Sequence, residues 1–231
     1  MRVAFVVDGF NLYHSIRDAE KLVADRPQRW LDLRNLCTSY LPHFGRSAVL
    51  EGIYYFSAFA KHLAATHPDI EARHQTYVDA LRSTGVEVSL ANFKARDKYI
   101  PLRHCRFRLG RTKWTVRIPI PKCSLIFTRA EEKETDVAIV SKMFELLHRR
   151  TADAVVLISG DTDLLPGIRT ARTLFPAATI AVCFPYRRHN AELKNAVRRS
   201  FKISKEQYAK HQLPDPIVLP NGHVIRKPAK W

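Results

Sequence analysis

Apolar residues fall along this chain in two rhythms. Continuous runs rich in β-branched residues occupy 2–7 (Val3-Ala4-Phe5-Val6-Val7), 48–56, 154–158 (Ala154-Val155-Val156-Leu157-Ile158) and 178–184. Runs of that length and kind predict strands buried on both faces of a parallel sheet. Between them the spacing is helical. Leu12, Ile16 and Ala19 mark a helix over 11–20, and Leu31, Leu33, Leu36 and Tyr40 a shorter one ending near Pro42. Residues 68–83 form another, with Pro68 and Asp69 in the first turn and Gly85 just past the end. Helices are also predicted over 134–149, over 164–174, and over a stretch closing at about Arg199, before a small element at 201–204. Val86-Glu87-Val88-Ser89-Leu90 alternates and predicts a third strand. Strands and helices in alternation predict an α/β fold: a Rossmann-like three-layer sandwich with a central, mainly parallel sheet covered on both faces.

One segment breaks this rhythm. Residues 92–127 hold Lys94, Arg96, Lys98, Arg103, Arg106, Arg108, Arg111, Lys113, Arg117 and Lys122 against Asp97 alone, alternating with apolar residues around Gly110. That pattern predicts a basic β-hairpin inserted into the sheet fold. The whole chain of 231 residues carries 38 Lys+Arg against 22 Asp+Glu, a net charge of +16. Such a balance predicts attraction to polyanions, nucleic acid ahead of an anionic membrane surface; solubility alone is the competing explanation. No apolar run approaches the ~18–20 residues of a membrane span. The basic-then-apolar start stops at Asp8, short of a signal peptide's length and cleavage site. A cytoplasmic protein without a membrane partner is therefore expected. Cys37, Cys105, Cys123 and Cys183 show no CxxC pairing and are expected to be reduced. The basic residues after Leu213, with Pro214, Pro216, Pro220 and Pro228, predict an irregular or flexible end.

The candidate chemistry is acidic, which stands out in so basic a chain. Asp8-Gly9-Phe10-Asn11 follows the first strand, Ser159-Gly160-Asp161-Thr162-Asp163 follows the strand over 154–158, and Glu131 to Asp136 opens an apolar helical stretch. Open α/β sheets bind ligands at their carboxyl edge. Asp8, Asp136, Asp161 and Asp163 are thus expected to share one pocket. Aspartates at these places also serve as turn formers and helix caps, the competing reading. Carboxylates drawn together raise one another's pKa unless a cation neutralises them. Mg²⁺ or Mn²⁺, hard ions that take oxygen ligands and keep several waters, are the natural occupants. Asn11 is expected to orient a water or substrate oxygen without adding charge. Lys133 either meets a phosphate or is simply solvated.

Nucleic-acid contact is expected from Arg103, Arg106, Arg108, Arg111 and Lys113 in the hairpin and from Arg187 and Arg188, which with His189 precede a helix near the acidic edge. Phe93, Tyr99, Phe107 and Trp114 either stack on bases or anchor the hairpin. His104, Cys105 and Cys123 lack the paired spacing of a zinc site and predict packing instead. Neither a Walker loop nor a nucleophile elbow is present. Phe10 stands where a haloacid-dehalogenase-like phosphatase carries the second Asp of its Asp-x-Asp.

Val7-Asp8-Gly9-Phe10-Asn11-Leu12, Glu131 to Ile139 and Ile158-Ser159-Gly160-Asp161-Thr162-Asp163-Leu164 together resemble the NYN domain, the LabA-like branch of the PIN-like nuclease superfamily. Phe184-Pro185-Tyr186-Arg187-Arg188 and the stretch from Leu193 to Ile203 resemble the later part of such domains. The resemblance spans about residues 1–210, with the basic insertion at about 92–127, and leaves 211–231 as a separate tail. It implies a PIN-like sandwich that is a divalent-metal-dependent ribonuclease, endonucleolytic, acting on RNA phosphodiesters. Asp8, Asp136 and Asp161 become the metal-binding acids, Asn11 accompanies the first, and Asp163 is a fourth acid. PIN-like folds often dimerise, so a homodimer is compatible with it. A non-catalytic RNA-binding or regulatory module on the same fold is the alternative.

Overall fold

The computed structural model describes residues 1–22, 27–60, 66–91, 93–108, 115–132 and 134–231, and for 93–108 and 115–132 the backbone only. The elements run β1 (Arg2–Asp8), α1 (Gly9–Glu20), α2 (Leu33–Thr38), a 3-10 turn (Leu41–Phe44), β2 (Val49–Ala58), α3 (Ile70–Ser83) and β3 (Glu87–Ala91). After β4 (Phe93–Arg108) and β5 (Thr115–Glu132) come α4 (Thr135–His148), β6 (Ala154–Ile158), a 3-10 turn (Thr162–Leu164), α5 (Leu165–Leu174) and β7 (Thr179–Phe184). The chain ends with α6 (Ala191–Ala196), β8 (Arg199–Lys202), α7 (Lys205–Lys210), β9 (Ile217–Val218) and β10 (Val224–Ile225).

Six strands form one sheet in the order β3-β2-β1-β6-β7-β8, and every neighbouring pair is parallel. This is the α/β sandwich expected from the sequence. Successive side chains of a strand point to opposite faces, so the continuous apolar runs feed two cores at once. Val3, Phe5, Val7, Val156 and Ile158 enter the core shared with α1, α2, α3 and α7. Ala4, Val6, Val155 and Leu157 enter the other, under α4, α5 and α6. Gly167 lets α5 lie close on α4, because a Cβ there would stand 2.7 Å from a Val140 methyl.

The basic insertion is a two-stranded antiparallel ribbon outside the six-stranded sheet, pairing Phe93 with Glu132 through to Arg108 with Thr115, with an irregularity between Leu102 and His104. It runs five residues further than the 92–127 expected, so Glu131 and Glu132 end a strand instead of leading a helix. Its predicted turn at Gly110 lies outside the described residues, as do Arg111, Lys113, Trp114 and Lys133. A second difference lies near the C-terminus. The helix expected to reach Arg199 stops at Ala196, because Arg199–Lys202 pairs alongside β7 as the sixth strand.

The end of the chain is irregular apart from the short β9 and β10, and it packs onto the domain. Leu31 bridges Gln212, the Trp30 indole donates to the Pro214 carbonyl at 3.0 Å, and Trp231 meets the rings of Trp30 and Tyr77. A buried polar knot ties α7 to α1. Ser15 Oγ donates to the Tyr186 carbonyl at 2.7 Å and lies 2.8 Å from Tyr208 Oη, which also receives the Tyr186 N–H. Leaving buried partners unsatisfied costs roughly 1–3 kcal/mol. Tyr208→Phe is therefore expected to lower unfolding free energy by about that amount in urea melts; an unchanged midpoint and slope would contradict it.

Candidate metal-binding active site

The chain order folds the sheet outward in two directions from β1, with β2 and β3 on one side and β6, β7 and β8 on the other. The crevice between β1 and β6 is the topological switch point, where open α/β sheets bind ligands. Val7 pairs with Ile158, so the next residues, Asp8 and Ser159, leave their strands side by side. Ser159 donates to Asp8 Oδ2 at 2.8 Å, and its Oγ receives the Asp161 N–H at 3.0 Å. Asn11 Oδ1 receives the Gly160 N–H at 3.0 Å, tying the two strand ends together. Gly160 is required on steric grounds: a Cβ there would fall on the Arg188 carbonyl oxygen.

The capping and site readings of the aspartates turn out to be compatible. Asp8 caps α1 through the Asn11 N–H at 2.9 Å, and Asp161 caps the turn at 162–164 through the Asp163 N–H at 3.0 Å. Each spends one oxygen on the cap. Asp136 lies in the first turn of α4, just after Glu134, whose left-handed φ of 80° turns the chain into that helix. One carboxylate oxygen each from Asp8, Asp136 and Asp161 lies within 4.8 Å of the other two. Three helical N-termini thus meet at these acids, an arrangement whose partial positive charge favours carboxylates.

Favourable dipoles do not fully offset burial. Asp8, 6% exposed, is pushed up to about 6, chiefly by burial, against the Asn11 and Ser159 hydrogen bonds and with the charges of Asp136 and Asp161 adding to the rise. Asp136 is raised as well, by burial and then by Asp161 and Asp163. Two raised carboxyls beside a third, with oxygen donors only, fit a hard divalent cation.

These acids open into a cleft of about 450 Å³ whose walls include Phe10, Asn11, His14, Thr135 and Arg188. Arg188 is held there by Asp18 at 2.7 Å. Arg187 instead extends over the Tyr186 ring, outside the cleft lining. Asp163 is exposed and outside the three-carboxylate group, though close enough to raise Asp136. Arg103, Arg106 and Arg108 lie on β4, where only the backbone is described, as it is for His104, Cys105 and Cys123. Ser159 and the Asp18 tether are site features that sequence reasoning did not assign. Ser159 stood inside a recognised motif, whereas Asp18 gave no signal, because its partner is 170 residues away.

The chain matches the NYN domain over residues 2–204, and it belongs to that family, a branch of the PIN-like nuclease superfamily. Membership suggests a nuclease-like function; NYN domains act on nucleic acids, and their nucleases usually use divalent metal. A solved structure, a protein of unknown function, VPA0982, from Vibrio parahaemolyticus RIMD 2210633, is similar in fold, with a TM-score of 0.52 and 15% identity over 92% of this chain and 96% of that one. No curated protein matches. Among the described residues, no helix is long and apolar enough to cross a membrane.

Asp8 sets a pH signature for the metal-free protein. Its carboxyl is raised in the fold, so the unfolded chain gives up this proton first. The buried charge therefore costs the fold stability above pH about 6, and the cost disappears below about pH 4. In EDTA, Asp8→Asn is expected to be more stable than wild type at pH 7.5, by up to about 3 kcal/mol, with the gain fading by pH 4. Urea melts across that range check it; a variant less stable than wild type at pH 7.5 would contradict it.

Proposed function

We propose that this protein is a divalent-metal-dependent ribonuclease that cuts RNA internally at the crevice between β1 and β6. The observation that carries the reading is the close approach of Asp8, Asp136 and Asp161 at the switch point of a chain with net charge +16. A dication held there supplies Lewis acidity toward a phosphoryl oxygen and lowers the pKa of a bound water. The chain's own residues provide the frame. Asp8, Asp136 and Asp161 hold the ion, Mg²⁺ or Mn²⁺, and Asp163 stands at the rim as a fourth acid. Ser159 fixes Asp8 Oδ2, and Asn11 fixes the turn at Gly160, so neither acid has to reorganise when substrate arrives. Arg188, braced by Asp18, offers a cation to the phosphate from the lining of the same cleft. Arg103, Arg106, Arg108, Arg111, Lys113, Lys133 and Arg187 supply the longer-range contacts to the strand. The buried free thiols of Cys37 and Cys183 accord with a cytoplasmic setting.

The test is cleavage of labelled single-stranded RNA with Mg²⁺, with Mn²⁺ and with EDTA, wild type beside Asp161→Asn, whose amide oxygen keeps the cap to the Asp163 N–H. Metal-dependent internal cutting by wild type is expected, falling at least about 100-fold in the variant, since even partners behind a metal ligand cost 10–100-fold. No cutting under any metal, with RNA binding that still weakens steeply as salt rises, would establish the binding-module reading instead.

A further inference from the structure

A second cavity, larger than the acidic cleft, opens at the same carboxyl edge of the sheet. It holds about 810 Å³ between α1, the end of β2 and α3, within the size range of small-molecule sites. The two spaces are continuous in their lining: Phe10 and His14 belong to both. Tyr13, Tyr55, Tyr77 and Trp231 give it flat aromatic walls. Trp231 arrives from the packed tail, its ring 5.3 Å from that of Tyr77.

The polar groups of this cavity are arranged by charge. Arg17, Arg73 and Lys230 line it. The latter two are paired with Asp69, at 3.4 Å and 2.9 Å. Arg17 is exposed, its guanidinium 5.9 Å from the centre of the Tyr13 ring, and makes no ion pair among the described residues. Deeper in, Ser57 Oγ lies 3.5 Å from His74 Nε2. Burial pushes His74 down to about 4, so at neutral pH the imidazole offers one donor and one acceptor and no charge. Flat apolar walls, neutral hydrogen-bonding groups within and, at the edge, a cation unpaired among the described residues are what a nucleoside attached to a phosphate requires. A lipid chain would leave Ser57 and His74 without use, and an acidic peptide would find most of the cationic charge already paired.

We propose that this cavity captures one nucleoside of the RNA strand, the one next to the phosphate seated in the acidic cleft, and so gives the nuclease a base preference at the cut. Aromatic stacking on a base is worth about 1–3 kcal/mol, roughly 5–150-fold in affinity. The inference rests on the ribonuclease reading for its place in the reaction, but the binding it requires is measurable without any cleavage.

The experiment titrates the full chain in EDTA with AMP, GMP, CMP and UMP, and with ribose 5-phosphate as the baseless control, following tryptophan fluorescence. At least one nucleotide is expected to bind about tenfold more tightly than ribose 5-phosphate, weakened about tenfold by Tyr13→Ala or Arg17→Ala and still bound by Asp161→Asn. Arg17 is exposed and its substitution does not threaten folding, so it serves if Tyr13→Ala does not fold. Equal binding of nucleotides and ribose 5-phosphate would overturn the proposal. So would nucleotide binding that is lost in Asp161→Asn and indifferent to Tyr13 and Arg17, because the ligand would then sit in the acidic cleft. Base-selective binding by a protein that cuts no RNA would sink the nuclease reading while leaving base capture standing.

Discussion

Parallel pairing of β1 with β6 is the constraint on which the candidate site depends. The two strands enter the chain about 150 residues apart and pair in register from Val3 and Ala154 to Val7 and Ile158, so both stop at one level. A slip of one residue would turn every side chain of the strand to the opposite face. It would place Asp8 away from Ser159 and empty both cores of their matched residues. The apolar content that specifies the register thus also specifies where the carboxylates stand. Stability and chemistry share one cause here.

The electrostatic problem has two scales. Over the whole molecule the charge is strongly positive and draws polyanions in, with on-rates that depend on ionic strength. Over a few ångströms at the switch point the charge is negative and would turn a phosphate away. Helix N-termini, the Ser159 hydroxyl and the Asn11 N–H soften the local repulsion without abolishing it, as the raised carboxyls of Asp8 and Asp136 show. A dication held by these acids would reconcile the two scales, lowering the cost of the buried carboxylates and presenting a positive face to a nucleic-acid strand. Arg188, braced by Asp18, stands at a fixed place in the same cleft.

Much of the sheet was legible because strands buried on both faces need continuous apolar sequence; 154–158 was readable to the residue. Edge strand β8 was not. Arg199-Ser200-Phe201-Lys202 carries a single large apolar residue and owes its conformation to pairing with β7, a long-range contact with no local mark. The same holds for the packed tail, whose short β9 and β10 pair with each other and whose Trp231 is held by Trp30 and Tyr77. In the candidate site, the meeting of Asp8, Asp136 and Asp161 was legible, the first and third from their positions after strands and the second from the start of an apolar helical stretch, whereas Asp163 stands outside the group. The work of Ser159 and Asp18 was not, since each acts through a partner more than 150 residues away. The cavity beside α1 was equally hidden, being assembled from three elements and the tail.

The most direct test of the central claim is calorimetric titration of the full chain with Mn²⁺ at pH 7.5, wild type beside Asp136→Asn. Asp136 comes from α4, a different element from the strand ends that carry Asp8 and Asp161, so it reports whether the three acids act as one site. Saturable binding by wild type is expected, weakened about tenfold or more in the variant. Absence of Mn²⁺ binding, or an affinity untouched by Asp136→Asn, would contradict it.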